Sequence, residues 1–469
     1  MTSTDRFKTI INEFISHQTA TDDENKELEV RFGTRKTKNH GQKHTTKSDY
    51  DSVVKNLKAM DFTCDNVMGE YLMRIGYMFV NKAGRKDRSN VRVELNGHHV
   101  VKAYCEKESL QKIFDNSVLA KSVEFVKKEY LTKNNETDAR GRPERIFPYD
   151  SDDFGFRVAL QTEKKMSISL PYIRSVVDDW DNTEKTFRYI KRFRFRHAEY
   201  PIFCDMSIVK SSRFGQTHHI LEESGVFKNL ETYEIELEVD NSRVDAFVER
   251  VGAPGLLDAI KKTIKVVLQG LQDTKFPVSY GEIDQVITDY GRTVLGNTGT
   301  NANITHKNFI GPSSITLQTK NLVEKKDSSM DLPNVRENYT VTDKADGDRN
   351  MCYITESGKI YLIDSNMRAK FTGSTTNEKK LKNSLLDGEL IMYNKDGRQI
   401  NLFAAFDIYF VGGKDVRNNP FMSNTIAISS GDKTNNQRTI YRYTLLKQVM
   451  DLMKPSCVSP TSLNQMRFV

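Results

Sequence analysis

Two segments of the chain carry glutamate at every second position. In KELEVRFG (26–33), Glu27, Glu29 and Arg31 alternate with Leu28, Val30 and Phe32. In YEIELEV (233–239), Glu234, Glu236 and Glu238 alternate with Ile235, Leu237 and Val239. Side chains at i and i+2 of a strand share a face, so each segment predicts a β-strand with one apolar face and one row of carboxylates. Such a row repels itself unless cations lie among its members. The chain supplies cations with the same alternation. Arg192, Arg194 and Arg196 flank Phe193 and Phe195 in KRFRFRH, and Arg92, Arg157 and Lys210 stand in NVRVEL, GFRVAL and MSIVK. A single such strand fits the wet face of an open antiparallel sheet equally well. The repetition of the glutamate row, with basic rows between, favours strands closed into a barrel with their charges inward. Hard cations such as Mg2+ or Mn2+ take oxygen ligands, and Arg and Lys neutralise charge developing on phosphoryl oxygens. The chemistry expected of such a lumen is hydrolytic phosphoryl transfer, performed by placement and electrostatics.

A second constellation lies in TDKADGDRN (342–350), where Lys344, Asp346, Gly347 and Arg349 follow the strand-like YTVT (339–342). Downstream come LLDGELIM, with Asp387 and Glu389, and FAAFDIYF, with Asp407. In isolation KxDG is more often a charged turn. A lysine amine attacks a phosphate only when neutral, so a nucleophilic Lys344 requires neighbouring positive charge or a metal to lower its pKa, with Arg349 and a metal near Glu389 as the expected sources.

The elements that must position these residues follow from periodicity. Phe7, Ile10, Ile11, Phe14 and Ile15 are spaced as a helix that leads into the first glutamate strand. Between Tyr50 and Asp240 the runs YLMRIGYMFV, SNVRVELNG, FGFRVALQTEKKMSISL, FRYIKRFRFRH, PIFCDMSIVKSS and ETYEIELEV predict an antiparallel, mostly β domain. SRVDAFVERV and GLLDAIKKTIKVVLQGLQ then predict helices that close it. The stretch LGNTGTNANITHKNFIGPSS is aperiodic and rich in Gly, Asn, Thr and Ser, which predicts a linker. Strands of a second domain follow. The expected division is 1–275, a linker over 276–312, and 313–469.

Composition bounds the classes open to this chain. Its 469 residues exceed one hydrophobic core, so two sites in two domains are possible. The five cysteines (Cys64, Cys105, Cys204, Cys352, Cys457) form no CxxC pair or zinc-spaced cluster, which points to a reducing compartment. No apolar run approaches the roughly 18 residues of a bilayer span, so no membrane partner is expected. The excess of 70 basic over 63 acidic residues is too mild to imply nucleic acid by itself.

The paired strands ELEVRFG and YEIELEV, with basic alternation between them, resemble the triphosphate tunnel metalloenzymes, and in detail the RNA triphosphatase domains of fungal and large DNA virus mRNA capping enzymes. The order KxDGxR, DGE and FDI resembles the covalent nucleotidyltransferases, both capping guanylyltransferases and ATP-dependent ligases. The fold implied is α+β: an antiparallel β-barrel (the triphosphate tunnel) with packing helices, followed by an incomplete nucleotidyltransferase α+β domain. The first resemblance implies that Glu27, Glu29 and Glu238 bind Mg2+ or Mn2+, with Glu236 a ligand or a positioner of water and Glu234 less clearly involved. It implies that Arg31, Arg92, Arg157, Lys191, Arg192, Arg194 and Lys210 hold the triphosphate and that Asp205 supports neighbouring cations. Whether Lys191 or Arg192 points inward stays open, since KRFR occupies both faces. The second resemblance implies that Lys344 forms the phosphoramidate with GMP from GTP, that Arg349 contacts the sugar or phosphates, and that Glu389 contacts ribose or metal. Asp346 and Asp387 would orient these groups, Asp346 and Gly347 would belong to the GTP-binding set with Lys344, Arg349 and Glu389, and Asp407 is a weaker candidate.

Two features depart from the family pattern: Ser365 follows Asp364 where relatives carry an arginine, and the sole tryptophan, Trp180, lies upstream of Lys344, so no Lys-Trp-Lys strand follows it. The function implied is mRNA 5' capping, by removal of the γ-phosphate of 5'-triphosphate RNA and transfer of GMP. Alternatives are a tunnel-fold polyphosphatase or NTPase with a noncatalytic RNA- or partner-binding remnant, or a ligase-like enzyme. The resemblance also implies a cap methyltransferase domain or subunit as a partner, and an intracellular setting in host cytoplasm (a viral factory) or virion.

Overall fold

The alternating segments become the staves of a closed ring. The computed structural model describes residues 3–16, 25–33, 35–37, 41–43, 45–81, 83–137, 140–296, 303–324, 334–336, 339–422, 440–461 and 464–469. Eight strands form the ring: β1 (Asn25–Phe32), β2 (Glu70–Val80), β3 (Lys86–Asn96), β4 (Val123–Tyr130), β5 (Phe156–Met166), β6 (Lys185–His197), β7 (Ile202–Ser211) and β8 (Thr232–Val239). They pair antiparallel in the order β1-β8-β7-β6-β2-β3-β4-β5, and β5 returns to β1 with Leu28 opposite Leu160, which leaves the ring no free edge. Short strands Phe62–Cys64 and Tyr149–Ser151 attach to β6 and β5.

Strand parity then sorts the residues. The outward rows of β1 and β8 (Leu28, Val30, Phe32, Ile235, Leu237, Val239) are buried with Phe7, Ile11 and Phe14 of α1 (Ser3–Ser16), Val53 and Leu57 of α2 (Lys47–Ala59), and the long helix near the unit's end. On another side, Met73, Ile75, Val93, Leu95 and Phe187 are buried with Trp180 and with Val100, Val101 and Tyr104 of α3 (His98–Lys107). Helix α2 starts on a capping box: Thr46 Oγ1 accepts from the Asp49 N–H and the Thr46 N–H donates to Asp49. The long helix, α4 (Asn241–Gln272), is two helices joined at a kink, as its sequence suggests: Gly252 adopts φ 69° and Pro254 follows. Gly270 lets α4 approach α2 closely, since a Cβ there would lie 2.6 Å from Val53 Cα.

Two elements differ from the sequence reading of this unit. Strand β4 is not among the expected runs, because consecutive Lys127, Lys128 and Glu129 break the alternation of VEFVKKEY. The long run FGFRVALQTEKKMSISL ends as a strand at Met166.

The second compact unit comprises Thr274–Val469. The five long strands of its eight-stranded sheet pair antiparallel in the order β13-β12-β9-β10-β11, with β9 (Asp348–Ile354), β10 (Lys359–Asp364), β11 (Ala369–Thr375), β12 (Ser384–Tyr393) and β13 (Gln399–Val411), and the short strand Arg467–Phe468 pairs parallel with β13. Helix α5 (Tyr280–Leu295) buries Val286, Tyr290 and Val294 against Met351, Tyr353, Tyr361 and Ile363 on one face. Helix α6 (Arg442–Met453) buries Leu446, Val449 and Met453 with Cys352, Leu386 and Ile408 on the other. The stretch 276–312, expected as a linker, thus contributes a core helix, and the division falls between Asp273 and Thr274. Residues 339–342, expected as a strand, are irregular, and Lys344 stands in the loop that enters β9.

Candidate functional site

Inside the ring the inward rows enclose a cavity of about 180 Å³ lined by twelve side chains, every one charged. They are Glu27, Glu29 and Arg31 of β1, Arg74 of β2, Glu94 of β3, Lys128 of β4, Glu163 of β5, Arg192 and Arg194 of β6, Asp205 of β7, and Glu236 and Glu238 of β8. All eight strands contribute. The cations are interposed among the carboxylates, as the self-repulsion of the glutamate rows requires. Lys128 Nζ contacts Glu27 and lies 3.2 Å from Glu29 and 3.3 Å from Glu163. Arg31 bridges the two glutamate strands, paired with Glu29 and 3.0 Å from Glu236. Arg194 donates two 2.7 Å hydrogen bonds to Asp205, which is 2% exposed, and reaches Glu238 at 3.3 Å. Behind the cavity, Arg92 donates to Glu94 at 2.6 Å and to Glu163 at 2.7 Å.

Burial and charge pull the glutamates apart. Burial and the neighbouring Glu27 carboxylate push Glu238 up to about 7, against the opposing pull of Arg194. Burial acts on Glu163 in the same direction, but Lys128 and Arg92 overcome it and hold that carboxyl at about 2. Glu236 is likewise buried, yet Arg31, Arg74 and Arg192 bring it below the usual carboxylate range. Two buried donors remain unsatisfied. Arg74 Nε lies 2.9 Å from Glu94 in poor hydrogen-bond alignment, and Arg192 Nε stands 3.5 Å from Asp205, so neither makes a hydrogen bond. Buried unsatisfied donors inside a charged cavity suit an anionic ligand.

Not every residue singled out in the sequence reaches this cavity. Arg157 belongs to the inward row of β5 but stands at the rim, exposed, and donates to Asp150 at 2.6 and 2.9 Å. Lys210 is five residues from inward-facing Asp205, and that odd separation turns it outward, where Nζ donates to the Phe227 carbonyl at 3.2 Å. Parity also resolves KRFR: Arg192 lines the cavity, while Lys191 Nζ lies outside, 5.2 Å from the ring centroids of both Tyr71 and Phe193. Glu234 lies further along the inward row and receives Arg188 at 2.6 and 2.7 Å. Sequence reasoning missed Arg74, Glu94, Lys128 and Glu163. Glu94 shares its row with Arg92, and Glu163 shares its row with Arg157, so parity alone would have found both; Lys128 gave no such signal, because β4 itself does not alternate.

In the second unit, Gly347 lets the loop enter β9 against β12, since a Cβ would lie 2.4 Å from the Leu390 carbonyl oxygen. Arg349 is opposite Glu389 in the β9–β12 register. Its guanidinium pairs with both oxygens of buried Asp387, donates to the Pro312 carbonyl, and lies 5.9 Å from Phe309 and 5.7 Å from Phe406. Asp387 also accepts from Tyr409 Oη at 2.6 Å. Asp407 receives Arg442 at 2.8 and 3.0 Å. Lys344 is 84% exposed and hydrogen-bonded to Asp346, which, with Glu389, raises its pKa. That is opposite to the lowering expected of a nucleophile: in this arrangement Arg349 is committed to Asp387, and the nearest charge on Lys344 is negative.

A closed barrel with a fully charged lumen, followed by a unit whose sheet carries helices on both faces, gives the chain an α+β architecture, consistent with the tunnel and nucleotidyltransferase-like domain expected from its sequence. Residues 285–452 match the family described as mRNA capping enzyme, catalytic domain. The chain is 31% identical over 235 residues to a probable mRNA-capping enzyme of Acanthamoeba polyphaga mimivirus, a match covering 49% of this chain. It spans only 16% of that relative's length. Solved structures of the S. pombe Pct1 RNA triphosphatase, alone and in complex with the Spt5 CTD, align with TM-scores of 0.33 and 0.32 at 14% and 13% identity, covering 56% of this chain and 92% of theirs. The chain is therefore similar to a viral mRNA-capping enzyme, and its second unit to the capping-enzyme catalytic domain. Among the described residues no helix is long and apolar enough to cross a membrane.

Proposed function

We propose that the barrel is a metal-dependent RNA 5'-triphosphatase and that the second unit is the nucleotidyltransferase part of a guanylyltransferase acting after it. The observation that carries the first half is the cavity whose lining is charged throughout and drawn from all eight strands. Seven carboxylates face five cations there, with Arg92 a sixth cation behind them, so the lining carries an excess of negative charge. All its acidic donors are oxygens, and Glu238, held up at about 7, regains its charge most easily beside a cation. That donor set fits a hard divalent ion such as Mg2+ or Mn2+. Among the described residues no three carboxylates already stand at ligand spacing, because Lys128, Arg31 and Arg194 lie between them. Glu27, Glu29, Glu236 and Glu238 would hold the ion, and it would polarise the terminal phosphate. Arg74 and Arg192 would bind phosphate oxygens through the donors left unsatisfied. Asp205 orients Arg194 toward the same space, and the ring keeps bulk water from the phosphate except at its mouth. The test is phosphate release from triphosphate-ended RNA. Glu29→Ala and Glu238→Ala should each abolish it while far-UV circular dichroism stays that of the folded chain. Wild-type rates in both variants would sink the assignment.

For the second unit, one observation favours a reading without catalysis: Lys344 is held charged by Asp346. Incubation with labelled GTP and Mg2+ or Mn2+ separates the two. Label that survives denaturation and vanishes in Lys344→Ala supports GMP transfer; absence of label from both supports a binding role.

A further inference from the structure

The outer wall of the barrel is covered by helices along most of its apolar rows, but where Tyr71 of β2, Tyr189 and Lys191 of β6 and Lys210 of β7 adjoin it carries half-exposed rings and lysines instead. Lys191 is opposite Tyr71 in the β2–β6 register and holds its ammonium 5.2 Å from the Tyr71 and Phe193 ring centroids. Tyr71 stacks on Tyr189 at 6.0 Å with 25° between the planes, and Tyr189 meets Phe227, 43% exposed, at 5.1 Å. Lys210 is opposite Tyr189 across the β6–β7 pair, with Glu231 as its carboxylate neighbour at 3.9 Å. At the other edge the exposed His98, first residue of α3, lies edge-on to Tyr71 at 5.7 Å. Among the described residues Lys191 has no carboxylate within ion-pair distance. None of these groups lines the charged cavity.

We propose that this strip of Tyr71, Tyr189, Lys191, Lys210 and Phe227 on the outer wall is a binding track for single-stranded RNA. Lysines alone would suit an acidic peptide, and rings alone a proline-rich one. Their alternation suits a polyanion whose every unit carries a π-face: bases stack on the rings without sequence preference while the ammonium groups neutralise phosphates. On sequence grounds the two lysines are candidates for the triphosphate. Their outward parity gives them this separate task.

The proposal does not depend on hydrolysis in the lumen, and its test avoids the lumen. A fluorescein-labelled oligouridine of about ten nucleotides with a 5'-hydroxyl, on the scale of known stacking sites, is titrated with the whole chain and followed by anisotropy. Wild type binds. Tyr71→Ala weakens binding by about tenfold and leaves the salt slope unchanged. Lys191→Ala also weakens it and lowers the slope of log affinity against log salt by about 0.7, the value for one lost single-strand phosphate contact. Lys262→Ala, a solvated lysine of α4 outside both the strip and the cavity, leaves binding as in wild type. If Tyr71→Ala fails to fold, the solvent-side Lys191→Ala decides alone. No binding by wild type, unchanged binding in Lys191→Ala, or an equal loss in Lys262→Ala overturns the track.

Discussion

Glu238 offers the sharpest measurement on the barrel. Its carboxyl titrates at about 7 when folded, raised from 4.5 chiefly by burial and then by Glu27. A raised folded pKa on an acid means that folding is favoured by protonation. Below the unfolded value near 4.5 the contribution is fully present; between 4.5 and about 7 the unfolded chain ionises while the folded one does not, and the stabilisation drains away as pH rises through the folded value. Moving the titration from 4.5 to about 7 corresponds to about 3 kcal/mol lost across that window. The perturbation is Glu238→Gln, which keeps the shape and stays neutral. Urea denaturation of wild type and variant, without divalent ions and at steps from pH 4 to 9, gives the difference in stability of the barrel. Background titrations common to both chains cancel in that difference. The wild type should lose about 3 kcal/mol relative to the variant, most of it below neutral pH. A difference that stays flat with pH, or grows in favour of wild type, refutes the charge arrangement described for the cavity.

Other consequences are simpler to read. Asp205→Ala leaves Arg194 buried without its bidentate partner and should destabilise the barrel by about 3–5 kcal/mol in chemical denaturation; a loss under about 1 kcal/mol would mean that Arg194 finds water instead. Arg192→Ala, which removes a buried donor facing the cavity, should lower phosphate release on the order of a hundredfold, and an unchanged rate would remove it from the site. Gly270→Ala forces a Cβ onto the α2 backbone at Val53 and should cost about 1–3 kcal/mol, read as a lowered Tm; an unchanged Tm would show that the helix pair yields. Asp346→Ala removes the hydrogen bond and the charge that raise the Lys344 pKa, so the amine should react faster with a pH-limited acylating reagent at neutral pH; equal rates would deny the pairing.

The barrel is legible in the sequence because its two faces obey one rule. Wherever charge and hydrophobicity alternate, as in β1, β6 and β8, parity carries Glu29, Arg194 and Glu238 to the lumen and Val30, Phe195 and Leu237 to the core. Legibility fails where the rule lapses. KRFR and VEFVKKEY place charges on consecutive residues, so sequence alone neither orients Lys191 nor reveals Lys128, although Lys128 is the cation that holds Glu27 and Glu29 together. Lys210 misleads because its strand is buried on both faces, and only counting from Asp205 turns its charge outward. Helix α5 is masked by the Asn- and Gly-rich sequence that follows it closely, while its own spacing of Ile283, Val286, Tyr290 and Val294 is helical. The Lys344 loop is legible as a motif but not as an electrostatic environment, since the partners of Arg349 come from β12 and from Pro312, far along the chain.

On the reading proposed for the barrel, the pairings inside the lumen would let one set of side chains serve both a metal ion and a phosphate chain. Three of the five cations in the cavity stand among the carboxylates that would hold a divalent ion: Lys128 between Glu27 and Glu29, Arg31 between Glu29 and Glu236, and Arg194 beside Glu238. Each carboxylate in turn occupies cation donors that phosphate oxygens would otherwise receive. Glutamates that held an ion would therefore release Lys128, Arg31 and Arg194, which the neighbouring strands already position for an anion. The two ligands would favour one another's binding without any change in the ring, because the exchange needs only side-chain rotation inside a backbone held shut by the β1–β5 pairing.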